Sequence, residues 1–336
     1  MDNNLIETAT KNVSDIVTLA IEHPPHQNAL VVYDTRYGLT NILTTAYRTV
    51  LPNARFIDFD TVSKEEVITA FDEMHPHDLV VLIQSSSFLL DGFRIRLHLF
   101  NKKLKVIEHL HLHKNSEDIW DVYTHSLAYD KVWYRETGNK LKAKLEHTKE
   151  LRIQGGDTEL VVTGGLLSPK LNTGDYVGME NIGGSFPIGE VFTESREFTQ
   201  MNGSFMIYAH AGADFCVNMH TPFRVDVKEG LIVGWDDNAP TSFINIIKAI
   251  SEHERPLVRE IGFGLNRAIT RERHMQDITA FERILGLHFS LGEKHSVFKK
   301  DGIIAHKAKF HVDVFPLVDR VLADGEVIFE DGKYTV

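Results

Sequence analysis

The chain has 336 residues, of which 43% are hydrophobic and 25% charged, and a formal net charge of -11. That is the composition of a soluble globular protein of about two domains. The acidic balance disfavours nucleic acid, which draws on a basic surface, and no Lys/Arg block with interleaved aromatics offsets it. No apolar run approaches the roughly 18 residues of a membrane span, so no membrane role is expected. The opening MDNNLIETATKNVSD lacks the basic and apolar regions of a targeting signal. Cys216 is the single cysteine, which excludes an intrachain disulfide and a Cys-based zinc site. A cytoplasmic protein is expected.

Taken in order, residues 5 to 22 carry apolar residues at helical spacing until EHPPHQN breaks the pattern. ALVVYD (29–34) reads as a buried strand and the stretch from Thr40 to Val50 as a helix. The alternation repeats: ARFIDFD (54–60) strand, SKEEVITAFDEM (63–74) helix, DLVVLIQ (78–84) strand, FRIRLHLFNKK (93–103) helix, LKVIEHL (104–110) strand. Strands spaced by helices of this length make βαβ units, so residues 1–125 are expected to form a doubly wound α/β domain with a parallel sheet. The turn after its first strand, TRYGLT, has one glycine, and no phosphate-binding glycine loop occurs anywhere. Nucleotide binding is therefore not expected. Asp34 and Arg36 lie where such sheets place ligand-facing loops and receive no assignment.

A charged helical linker is expected within 126–150. Beyond it, residues 151–336 read as a mixed α+β domain. Its strands include GSFMIYAH (203–210) and FRVDVKEGLIVGW (223–235), a hairpin turned near Glu229-Gly230. TSFINIIKAISEH (241–253) is amphipathic and helical in pattern. RVLADGEVIFEDGKYTV closes the chain with short strands turned at Asp324-Gly325 and Asp331-Gly332.

Polar residues that the hydrophobic pattern does not require gather in four places of this second region. They are GGSFPIGEVFTES with Glu190, VREIGFGLN with Glu260 leading into a glycine-rich loop, LGLHFSLGEKH with His288 and His295, and KFHVDVF with His311 and Asp313. On a strand, His311 and Asp313 point to one face, so an imidazole and a carboxylate converge there. With 18 histidines in the chain, about one His-x-Asp arises by chance; the set of four places carries the argument. Two glutamates, two or three histidines and an aspartate supply enough N and O ligands for one cation or a close pair.

Each residue also has a plainer reading. His311 and Asp313 can sit on a solvated strand face, Glu260 can pair with Arg259, His288 can be a satisfied core histidine, and His295 can face solvent beside Lys294. His109, His111 and His113 alternate at strand spacing, which makes them a shared face, a second metal patch or a partly exposed strand edge. Cys216 reads as a buried small hydrophobe.

The order Gly-Glu-Val-Phe, Glu-Ile-Gly-x-Gly-x-Asn, Leu-Gly-x-His-x-x-x-Gly and His-x-Asp resembles the aminopeptidase T and aminopeptidase S family of metallo-aminopeptidases. The resemblance runs from about Thr158 to the end and includes GDTELVV and DGEVIFEDGK. It implies a homodimeric hydrolase that releases amino-terminal residues from small peptides or cleaves a related amide. Glu190, Glu260, His288, His311 and Asp313 would hold two Zn2+, Mn2+ or Co2+ ions that activate a water. Glu190, Glu260 and His295 would be the catalytic residues; which carboxylate is the base stays open. His295 stands where the family has a tyrosine.

The same scaffold is shared by 2,5-dihydroxypyridine 5,6-dioxygenase. That resemblance implies instead one Fe2+ on His288, His311 and Asp313, open to O2 and a dihydroxylated ring. In that case Glu190 and Glu260 would contact the substrate or the ligands. In either case IEHLHLHKN (107–115), through His109 and His111, would contribute substrate contacts. A relative that keeps the fold without turnover is the non-enzymatic alternative, and the absence of G-x-S-x-G argues against a serine hydrolase.

Overall fold

The computed structural model describes residues 3–90, 94–295 and 297–336. Met1, Asp2 and Phe93, where sequence-predicted segments begin, lie outside them. The chain groups into two compact units, and both are discontinuous in sequence. The first comprises residues 1–135, 174–188 and 268–280; the second comprises 136–173, 189–267 and 281–336. The expected helical linker is thus split at Arg135 between the two units. The segments 174–188 and 268–280 join the first unit, although the sequence reading puts both in the second region. Among the described residues no helix is long and apolar enough to cross a membrane.

The first unit is a five-stranded parallel sheet in the order Arg55–Asp58, Ala29–Tyr33, Leu79–Ile83, Lys105–His109, Ile182–Phe186. Its central strand, Leu79–Ile83, is buried at every position, as a strand covered on both faces must be. One face presents Leu30, Val32, Val80, Leu82 and Val106 to the helices Lys64–Asp72 and Ile95–Asn101, through Val67, Phe71 and Leu99. The other face meets the helix Gly38–Val50, whose Tyr47 reaches His109. Helices on both faces are what the βαβ alternation implies. Ser63 begins one of them with a reciprocal capping box to Glu66, which satisfies two otherwise unpaired N–H groups. The fifth strand is a departure: GGSFPIG contributes Ile182–Phe186 to this sheet.

The second unit is built on a 13-stranded antiparallel sheet. The long strand Met201–Ala211 is its hub. One edge pairs with Val217–Lys228; the other pairs first with Thr158–Val162 and then with Val312–Pro316. The hairpin to Leu231–Trp235 turns at Glu229-Gly230 with both residues at positive φ, the geometry that matches strand twist. Helix Thr241–Ser251 buries Phe243, Ile247 and Ile250, and Phe243 packs edge-on to Phe223 of the long hairpin at 5.0 Å. From the Val312–Pro316 strand the sheet continues through Gly286–Leu291, Val258–Gly264 and Glu190–Glu194 to Lys170–Asn172. Those four consecutive strands from Val312 to Glu194 carry the candidate site.

Candidate metal site

Antiparallel register brings the four sequence motifs together. Glu190 lies opposite Gly264, Phe192 opposite Gly262, and Glu194 opposite Glu260. Across the next ladder Gly264 faces Gly286, Gly262 faces His288, and Glu260 faces Ser290. Ser290 in turn faces Asp313. Directly opposed residues share a sheet face, so Glu190, Glu260, His288, Ser290 and Asp313 stand on one face, with Gly262, Gly264 and Gly286 as its floor. The glycine-rich stretch expected as a loop after Glu260 is therefore a strand. A methyl group on Gly262 would stand 2.6 Å from Nδ1 of His288 and closer still to Nε2 and Cε1. The imidazole lies across this backbone because no side chain is there.

His288 is fully buried, and neither of its ring nitrogens forms a hydrogen bond among the described residues. Its Nε2 faces Oε1 of Glu190 at 3.3 Å and Oε1 of Glu260 at 3.5 Å. A satisfied core histidine would have a partner; this one has two carboxylates at ligand-sharing distance instead. Burial opposes its charged form, but Glu260, Glu190 and Asp313 outweigh burial and raise its pKa to about 9. The same field that holds a proton there attracts a cation. Ligand atoms of Glu190, Glu260 and His288 lie within 4.8 Å of one another, as do those of Glu282, His288 and Asp313. The buried Glu/His/Asp cluster is able to bind a metal, and its N and O donors suit Zn, Mn or Fe.

Asp313 accepts a hydrogen bond from the Ser290 hydroxyl at 2.7 Å. His311 Nε2 is 3.3 Å from the same carboxylate. Burial raises the Asp313 pKa, but His311 overcomes it and lowers the net value. The His311 side chain is 33% exposed and belongs to neither three-residue group.

His295 is not solvent-facing: its side chain is 7% exposed and stacks on Phe298 at 5.2 Å. The Val297 and Phe298 N–H groups donate to its Nδ1 at 3.3 and 3.2 Å. Its proton therefore sits on Nε2 and is donated to Oε2 of Glu260 at 2.6 Å. Burial raises the Glu260 pKa, but His288 and His295 outweigh burial and hold it well below the usual carboxylate range.

Glu260 does not pair with Arg259. A β-bulge at Arg259, where Val258 and Glu260 face the adjacent Leu291 and Ser290, turns the guanidinium aside. Arg259 Nε donates instead to Glu194 at 2.8 Å, both groups being buried. Lys300 Nζ lies 3.6 Å from the other oxygen of Glu194.

Sequence reasoning missed four participants. Ser290 was legible, since it alternates with His288 on one strand face. Glu194 was legible in the same way from Glu190. The other two are Glu282 and Arg283, which sit between Phe281 and Ile284. Arg283 pairs with Oε2 of Glu190 and, at 2.8 Å, with Oε1 of Glu282. Burial is the main cause that raises the Glu190 pKa, and burial lifts that of Glu282 to about 8. A charged pair inside an apolar run was the available signal.

The histidines of the first unit depart from the expected strand face, since the strand ends at His109. His109 is fully buried between two phenols, with Tyr47 Oη 2.9 Å from Nε2 and Tyr123 Oη 2.9 Å from Nδ1. Tyr123 donates its proton to the Phe186 carbonyl, so Nδ1–H donates to Tyr123 and Tyr47 donates to Nε2. Both nitrogens are used, which corrects the expected substrate contact by His109. Burial pushes its pKa down to about 3. His111 adopts a left-handed backbone, φ 52°, and keeps a partly exposed ring between Asp277 (3.1 Å) and Ser87 (3.2 Å). His113 pairs with the Ser85 carbonyl, so the three form no common patch. Cys216 is half-buried, directly before the strand Val217–Lys228, rather than in the core.

No family model and no curated protein sequence matches the chain. Among solved structures it is similar to 2,5-dihydroxypyridine dioxygenase from Pseudomonas putida KT2440. Identity is 14% and the TM-score 0.65, over 98% of this chain and 97% of that one. It is also similar to wild-type AmpT from Thermus thermophilus, at 12% identity and a TM-score of 0.60 over 98% and 99% of the two chains. At such identities the likeness shows a shared fold. The chain is thus an α/β protein on a scaffold common to both, with a buried carboxylate–histidine cluster.

Proposed function

We propose that the protein is a metal-dependent hydrolase acting on the amino-terminal bond of small peptides or on a related small amide. The observation that carries this reading is His288, buried without a hydrogen bond and facing Glu190 and Glu260. Those three residues would hold a divalent cation such as Zn2+, Mn2+ or Co2+, and Asp313 and His311 would complete or flank its shell. Such an ion, when bound, lowers the pKa of a water and polarises a carbonyl. The protein's own part is to position and to exclude. His295 donates to Glu260 and thereby aims its other oxygen toward His288. Ser290 orients Asp313 in the same manner. Phe192 and Phe298 flank His295 and keep water from competing for the Glu260 hydrogen bond.

A second reading, an Fe2+-dependent ring-cleaving dioxygenase using His288, His311 and Asp313, is favoured by one observation: Arg283 already occupies one oxygen of Glu190. That leaves fewer carboxylate oxygens for a pair of ions. Against it, His311 is not gathered with His288 and Asp313. We carry a cytoplasmic homodimer, free of nucleic acid and membrane, as part of the proposal on the strength of the sequence resemblance.

The test is metal analysis of protein purified without chelators, followed by two substrate screens. Release of amino-terminal residues from peptides under anaerobic conditions, lost in Glu190→Gln and Glu260→Gln, supports the hydrolase. Activity confined to dihydroxylated aromatic rings with Fe2+ and O2, retained in either Gln variant, replaces it with the oxygenase. If His288→Ala leaves the metal content unchanged, the site is misassigned.

A further inference from the structure

We propose that Arg283 is a built-in counter-cation that limits this site to one divalent metal ion per chain. The inference rests on the metal-site reading above and concerns how many ions the cluster takes. Arg283 is 9% exposed and spans two carboxylates, with Nη1 on Oε2 of Glu190 and Nη2 2.8 Å from Oε1 of Glu282. Glu190 therefore keeps a single oxygen, Oε1, turned toward His288. Bridging two ions through both carboxylate oxygens needs the second oxygen free, and here Arg283 takes it. A guanidinium does not lose its proton in a protein, so this positive charge is permanent.

The two possible seats also compete. Glu190–Glu260–His288 and Glu282–His288–Asp313 share one imidazole, and the acid that would complete the second seat is the one Arg283 holds. Charge points the same way. Glu190, Glu260, Glu282 and Asp313 supply the carboxylates of the two seats, and Arg283 sets one fixed positive charge against two of them. A second divalent ion at Glu190 or Glu282 would lie beside the fixed Arg283 guanidinium, and like charges this close repel strongly in a low-dielectric interior. Arg283 thus sits between the two carboxylates where a second cation would otherwise lie.

The experiment is metal titration of chelator-stripped, full-length protein with Zn2+ and, separately, Mn2+. Stoichiometry is read by calorimetry and by elemental analysis after gel filtration. Wild type and Arg283→Lys, which keeps the charge, are expected to bind about one ion per chain, and Arg283→Met, similar in length but uncharged, about two. Circular dichroism reports whether Arg283→Met has folded. If it has not, Arg283→Gln, which also removes the charge, is titrated in its place with the same expectation of about two ions. Two ions per wild-type chain overturn the inference while leaving the metal site standing. One ion in folded Arg283→Met also overturns it. No binding by wild type removes the metal-site reading and this inference with it.

Discussion

Replacing Gly262 by alanine tests the site geometry with a sign rather than a size. Gly262 has a negative φ, so an alanine meets no backbone strain there. At an unobstructed position, Gly→Ala stabilises by about 0.4–1 kcal/mol by restricting the unfolded chain. Here the new methyl would lie 2.6 Å from Nδ1 of His288 and nearer to two other ring atoms, against 3.4–4 Å for ordinary contact. The neighbour cannot yield easily, because His288 is fully buried and Phe315 packs near its ring at 6.0 Å. Overpacking of this kind costs about 1–3 kcal/mol, so the variant is expected to be less stable despite its entropic gain. The displaced imidazole also leaves Glu190 and Glu260, and metal affinity should fall about 10–100-fold, as when a group that orients a ligand is lost. The assay is urea unfolding of the metal-free protein followed by circular dichroism, with calorimetric metal titration in parallel. In the double variant with His288→Ala the collision disappears, so the second substitution should cost less in the Gly262→Ala background than alone. A Gly262→Ala protein as stable as wild type with unchanged metal affinity would refute the placement of His288.

Other consequences are independent of that one. His295→Phe keeps the stack on Phe298 but removes the donor to Glu260; metal affinity should drop about 10–100-fold with the fold intact, measured by competition with a chromogenic chelator. Arg259→Met leaves Glu194 buried without its main partner and should cost about 3–5 kcal/mol. The double variant with Glu194→Gln should recover part of that loss in urea unfolding, and the absence of any recovery would show that the pair is not coupled. His109 makes stability pH-dependent. Its folded pKa, about 3, lies below the value near 6.5 of an unfolded histidine. The unfolded chain takes up a proton that the folded chain refuses. The contribution is therefore complete above pH 6.5 and is lost as pH falls toward 3, by about 2 kcal/mol at pH 5. The urea midpoints of wild type at pH 7 and pH 5 should differ by more than those of His109→Gln, and equal differences would remove His109 as the cause.

Much of the fold was legible because it is written in short-range pattern. Strand-length apolar runs separated by amphipathic helices specify parallel βαβ units before any contact is known. Asp324-Gly325 and Asp331-Gly332 place their hairpins because few other residues accept two consecutive positive φ angles, and both pairs adopt them. His288 and Ser290, like His311 and Asp313, could be assigned to shared faces from a spacing of two alone. What no local pattern contains is which strands become neighbours. Ile182–Phe186 looks like its sequence neighbours but pairs with a strand more than seventy residues earlier. Glu190 finds Arg283 across 93 residues, and only that meeting turns a carboxylate with two available oxygens into one with a single oxygen. His109 and His111 have the same composition around them, yet one is sealed between tyrosines and the other is partly exposed, because the strand stops between them. Glycine at 262 carries no reason in its own segment; the reason is the imidazole laid over it from the next strand. Periodicity and turn chemistry act over a few residues and are encoded there, whereas register, charge pairing and room for a side chain arise when distant segments are brought into contact.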